Sequence, residues 1–230
     1  MEIEFKSMNV YLLPLQKLFQ QHADAVKAAG AKKYMLNRFV FYGIVMAVCR
    51  KLSKDFIKSN SLTSVAEVEK IAKQAWQLPE REWQYFAIEL LSHYKNQWTI
   101  STIKTIEYCI VHKSWWDTVD AIADACAGEY FKLFPQQVNA VTGAWNASEN
   151  MWLQRSSLLF QKKYKAKTDT RLLAAYIQHL SSSKEFFIRK AIGWILREYA
   201  KTNADWVKHF VETNQHLSAL SRREALKHFP

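Results

Sequence analysis

Apolar residues recur along this chain with the period of a helix. After Pro79, Trp83, Phe86, Leu90 and Tyr94 follow at intervals of three and four, which lines one helical face. Glu80 and Glu82 stand in the first turn, where the helix dipole favours anions. The pattern predicts a helix over 80–94. Thr99 opens a second one, 99–111, through Ile103, Ile106 and Ile110. Ser114 and Asp117 then form an S-x-x-D capping box heading a helix that carries Trp116 and Asp120. Ser148 starts another, through Trp152 and Leu159, and further helices are predicted at 169–180, 184–200, 203–213 and 219–228.

The turn signals between these segments are short, and no linker divides the chain, so residues 1–230 read as one domain. Arg155 lies 39 positions after Trp116, and Trp194 lies 39 after Arg155. A period near 40 is that of a helical-hairpin repeat, and stacked repeats bring equivalent positions to one concave face. The expected fold is therefore all-α: an α-α superhelix, or solenoid, of HEAT-like repeats with a concave basic groove. A globular helical bundle is the second choice.

Composition supports the helical reading. Five Gly and four Pro in 230 residues fall far below the roughly 12% average for the two together. The net charge of +11 divides into +6 for residues 1–115 and +5 for 116–230. A basic surface of that kind draws polyanions, nucleic acid first. Cys49, Cys109 and Cys126 are odd in number and form no CxxC, which argues for reduced core residues. The start, Met1 to Lys6, has no signal-peptide character, and no apolar run reaches 18 residues. A cytoplasmic protein is expected.

Several chemistries lack their motifs. There is no H-E-x-x-H, no phosphate-binding glycine loop and no G-x-S-x-G elbow. Neither metal nor cofactor is expected. Glu67/Glu69 and Glu80/Glu82 read most simply as solvated or dipole-complementing carboxylates. The remaining chemistry rests on Asp, Arg and indoles. Trp116 and Asp120 are four apart and share a helix face. The capping box accounts for Asp117 and leaves Asp120 without a structural role, the kind of local rule violation found at functional sites. Arg155 follows Trp152 by three and also fits a surface arginine covering an indole. Lys162, Lys163, Lys165 and Lys167 cluster at a helix end, and Arg189, Lys190 and Arg197 flank Trp194. Such groups can neutralise phosphates.

Taken in order, these segments resemble the DNA alkylation repair family of HEAT-like DNA glycosylases, the AlkD type. The likeness runs through Lys33-Tyr34-Met35-Leu36-Asn37-Arg38-Phe39-Val40-Phe41-Tyr42-Gly43-Ile44 and Leu78-Pro79-Glu80-Arg81-Glu82. It continues in Lys113 to Asp120, Trp152-Leu153-Gln154-Arg155, Ser183 to Ile188 and Ala191 to Asn203. The resemblance implies a monomer that removes N3- and N7-alkylated purines from duplex DNA without flipping the base. It implies that Asp120 is the catalytic carboxylate, with Trp116 and Trp194 flanking the deoxyribose. Arg155 matches a DNA-contacting arginine and Tyr34 an aromatic near the DNA; Arg50, Lys163, Lys165 and Arg197 complete the expected DNA-binding set. Where the family has Thr-Pro and paired arginines after Gly43-Ile44, this chain has Val45-Met46-Ala47-Val48-Cys49-Arg50-Lys51. The lysine keeps the charge without the bidentate fork. The alternative function is a non-catalytic scaffold that binds nucleic acid or protein; such a scaffold has no need of Asp120.

Overall fold

A computed structural model describes residues 9–227. Both the start at Met1 to Lys6 and the last residue of the 219–228 segment lie outside the described residues. The described chain is helical throughout, with one isolated bridge between Val40 and Glu80. Its contacts gather into two units, 1–105 and 106–230, and the division falls inside one helix. The single domain expected over 1–230 is thus a statement about continuity of the chain.

In the first unit, α1 (Leu13–Gln21), α2 (Ala25–Tyr34), α3 (Met46–Ser59), α4 (Val65–Gln77) and α5 (Arg81–His93) surround an aromatic core. Phe19 packs on Trp83 at 5.0 Å between ring centroids, and Trp83 meets Phe86 edge-on at 6.1 Å. The predicted helix at 80–94 is α5, and its stripe of Trp83, Phe86, Leu90 and Tyr94 is buried. The carboxylate pairs are a correction. Glu82 is 1% exposed and accepts backbone N–H bonds from Tyr42, Gly43 and Ile44. Glu69 accepts from the hydroxyls of Thr102 and Thr105. Glu82 clamps the connection between α2 and α3 against α5, and Arg81 lies over the Phe39 ring at 3.9 Å. Two of the segments that carry the family resemblance, 33–44 and 78–82, are thus halves of one structural joint. Gly43 sits in it at φ 85°, where a Cβ would stand 2.2 Å from the Asp24 carbonyl oxygen.

The second unit continues from α6 (Ile103–Val111) through α7 (Trp116–Ile122), α8 (Gly128–Leu133), α9 (Val138–Asn146) and α10 (Met151–Leu159). It closes with α11 (Thr170–Leu180), α12 (Phe186–Ala200), α13 (Ala204–Thr213) and α14 (Ala219–Ala225). Phe131 anchors its core between Trp145 and Phe160. Starts at Asp169 and Asn203 agree with the sequence, each capping through its side chain. Two starts differ. The residue capping α10 is Asn150, whose Oδ1 accepts from the amides of Trp152 and Leu153; Ser148 supports Asn150 instead. The cap of α7 is Trp115, without a side-chain bond, because the Ser114 hydroxyl donates back to the Ile110 carbonyl at 2.6 Å. Ser114 therefore closes α6, and the cap position of α7 falls to Trp115. Asp117 remains in the first turn of α7.

Side-chain bonds between helices recur at one separation. Trp145 donates to Glu107, 38 positions back; Thr142 meets Tyr176, 34 on; Lys190 reaches Glu224, 34 on. Within each unit, a helix touches the element about one repeat length away, as stacked helical repeats require.

Candidate active site

Asp120 stands in the last turn of α7, and the helix widens directly after it. Ala123–Ala127 form a π-helical turn, and α8 follows without a break. Such turns insert a residue into the helical register. The Gly128 carbonyl accepts the Tyr164 hydroxyl at 2.6 Å. A Cβ on Gly128 would stand 2.6 Å from the Phe160 carbonyl oxygen, so the small residue admits the end of α10 to this helix. Burial pushes the Tyr164 hydroxyl above its ordinary pKa, which keeps it a donor.

The close approach sets Arg155 of α10 against Asp120. Arg155 Nε donates to Oδ1 at 2.7 Å and Nη2 to Oδ2 at 2.8 Å, a bidentate pair. A further donor, Nη1, bonds the Phe187 carbonyl. Asp120 is 8% exposed and Arg155 3%. The sequence alternatively read Arg155 as a surface arginine covering an indole. Its guanidinium is instead buried, turned to a carboxylate, and lies 5.9 Å from the Phe187 ring centroid. Behind it, Trp115, Trp152 and Phe187 form a triangle of rings 5.1–5.8 Å apart. That apolar wall supplies the low dielectric in which the ion pair sits. Burial raises the Asp120 pKa above the usual aspartate value, while the Arg155 bonds and the Lys162 charge pull it down.

Trp116 lies one turn before Asp120 on α7, half-buried. Trp194, on α12, is also half-buried, and the Lys162 ammonium rests 4.3 Å from its ring centroid. Asp120 and Arg155 are thus joined directly, and Lys162 links Trp194 to their electrostatic surroundings. Three of the other expected DNA contacts belong to the second unit. Lys163 is exposed and pairs with Asp124 at 2.7 Å. Lys165 is exposed at φ 53°. Arg197 bonds Glu224 at 3.0 Å, beside Lys190 at 2.7 Å from the same carboxylate. Tyr34 and Arg50 belong to the first unit. Tyr34 ends α2, 69% exposed, and lines a cavity of about 280 Å³ with Met46 and Tyr85. Arg50 is exposed on α3, 3.4 Å from Glu89.

Sequence reasoning saw Lys162 only as one lysine in a run. Its separation of 32 from Trp194 equals that of Arg155 from Phe187, and that spacing was the available signal. Among the described residues, no group of three His, Cys, Asp or Glu side chains could hold a metal ion, and no helix is long and apolar enough to cross a membrane.

A family profile described as DNA alkylation repair enzyme matches residues 15–229. Among solved structures, a predicted DNA alkylation repair enzyme from Enterococcus faecalis is 32% identical, with a TM-score of 0.84, over 90% of this chain and 97% of its own. AlkD2 from Streptococcus mutans gives a TM-score of 0.67 at 16% identity, over 96% of this chain and 99% of its own. The protein smu.31 from Streptococcus mutans UA159 gives 0.61 at 16% identity, over 92% and 100%. These likenesses make the fold an AlkD-like arrangement of helical repeats. No protein of curated function matches the chain.

Proposed function

The chain belongs to the DNA alkylation repair enzyme family, and from that premise we propose that it is a DNA glycosylase. Its substrates are purines alkylated at N3 or N7 in duplex DNA, of the 3-methyladenine and 7-methylguanine type. The observation that carries this reading is the buried Asp120–Arg155 pair, with the half-buried Trp116 one turn before Asp120 on α7.

Alkylation at N3 or N7 gives the purine a positive charge, so the C1′–N bond breaks with both electrons leaving on a neutral base. The sugar becomes an oxocarbenium-like cation, which water attacks at C1′; the water's proton passes to solvent or to Asp120. A carboxylate about 4 Å from that cation, at an effective dielectric near 20, contributes roughly 4 kcal/mol. Realised mostly in the transition state, this is up to about a thousandfold in rate. In this role Arg155 is a positioning residue. It holds Asp120 ionised and fixed, and each carboxylate oxygen keeps a further acceptor site for water or sugar. Trp116 and Trp194 offer electron-rich faces to the same cation. The lesion stays within the duplex, flanked by indoles, and is not drawn into a pocket. Arg50, Tyr34, Lys163, Lys165 and Arg197 contribute to duplex binding on a concave basic groove, and the protein acts as a monomer.

The test is release of 7-methylguanine or 3-methyladenine from methylated duplex DNA, with Asp120→Asn as control. Release by the wild type and its loss in the variant is the expected result. DNA binding without release would favour the non-catalytic scaffold.

A further inference from the structure

Lys162 occupies a place the proposed chemistry assigns to something else. Its ammonium lies over the face of Trp194 at 4.3 Å, and its charge acts on Asp120. The positive charges of Arg155 and Lys162 and the negative charge of Asp117 all act on the Asp120 carboxylate. Arg155 is held by three bonds and is buried. Lys162 is half-exposed, sits on a flexible stem, and has no ion pair comparable to that of Lys163 with Asp124. It also lines a cavity of about 300 Å³ with Lys165, Thr168, Lys201 and Thr202, into which its head can turn.

We propose that Lys162 is a specificity-determining residue: its ammonium fills the cation seat on Trp194 in the free protein, and the cationic lesion nucleoside replaces it like for like. This rests on the function proposed above and adds how the site distinguishes damaged from normal bases. A neutral nucleoside that displaced Lys162 would leave the indole face without its cation and Asp120 without that neighbouring charge. An alkylated purine restores both. Two cations cannot share one indole face at contact distance, so a cation arriving on the face that Lys162 covers displaces the ammonium. Discrimination then arises from charge, without hydrogen bonds that read the base.

Lys162→Met removes the charge and keeps most of the stem. Its KM for duplex DNA containing 7-methylguanine should fall about three- to tenfold, the span of one cation–π contact. Its affinity for unmodified duplex should rise at least as much, which narrows the ratio between the two. Lys163→Met loses the same charge from the same helix end and should not lower KM. An unchanged or raised KM in Lys162→Met would overturn the proposal. A readout independent of activity is the NMR shift of the Lys162 ε-methylene, assigned by its loss in Lys162→Arg. Ring current from Trp194 should move it upfield in the free protein. Duplex with 7-methylguanine should return it to the ordinary lysine position, and unmodified duplex should not. No upfield shift, or equal release by both duplexes, sinks the exchange. Absence of 7-methylguanine release by the wild type, with the upfield shift present, would instead count against the glycosylase reading.

Discussion

Each unit buries a carboxylate, and the two are satisfied by different kinds of donor. Glu82 of the first unit is held by three backbone amides of Tyr42, Gly43 and Ile44. Asp120 of the second is held by the side-chain fork of Arg155. Burial raises the pKa of both above the ordinary carboxylate range, and their bonds oppose it. The difference lies in what each can face. Backbone amides converging on Glu82 turn it into a clamp between a loop and a helix. A single guanidinium on Asp120 leaves it one turn from the half-buried Trp116, with acceptor capacity to spare. Burial of a carboxylate is therefore no mark of chemistry by itself; the identity of its partner separates a joint from a site.

That comparison can be broken most sharply at Asp120. Asp120→Asn should reduce base release by up to about a thousandfold while the fold survives, measured as single-turnover release from methylated duplex. Next is Arg155→Met, which leaves Asp120 buried without its partner. Urea denaturation should show a loss of about 3–5 kcal/mol. The same variant should leave the salt dependence of DNA binding unchanged, because its charge is engaged by Asp120. A flatter salt dependence would return Arg155 to the DNA-contact role.

Glu82→Gln should cost less, about 1–3 kcal/mol, and should leave the rate of folded protein intact. A loss of rate matching that of Asp120→Asn would erase the distinction between the two carboxylates. The pH dependence follows from the raised values. Protonated Glu82 contributes stability that is fully present below its unfolded pKa, near 4.3, and is lost as pH rises through its higher folded value. Glu82→Gln should flatten the stability curve across that window. Catalysis needs the Asp120 anion, so the acid limb of kcat/KM should lie above the ordinary aspartate value of about 3.9. The smallest effect is expected at Lys165. Lys165→Ala should lower the slope of log affinity against log salt by about one, with little change in the rate of bound complex.

The helices of the second unit were mostly legible because their signals are local. Asp169 and Asn203 cap where the sequence places caps, and the buried stripe of α5 was visible from its spacing alone. Ser114 shows where local reading stops. Its hydroxyl could serve the next helix or close the last one, and the sequence pattern is the same for both. The left-handed Lys113 preceding it, at φ 47°, turns the chain so that the hydroxyl meets Ile110. The four-helix start of the chain escaped the hydrophobic reading in part because α2 has no buried residue to mark a face.

By itself, the sequence determined the all-helical class, the repeat length, the family, and Asp120, Trp116, Arg155 and Trp194 as the residues to watch. Periodicity and capping act over three or four positions, and motif order survives in the linear string. Only the tertiary structure decided that Arg155 binds Asp120, that Glu82 is a clamp, and that Lys162 sits on Trp194. Those pairings join residues 32–40 positions apart. Which side chains meet at that range depends on how one helix stacks on the next, including the extra residue of the π turn after Asp120 and the close approach at Gly128.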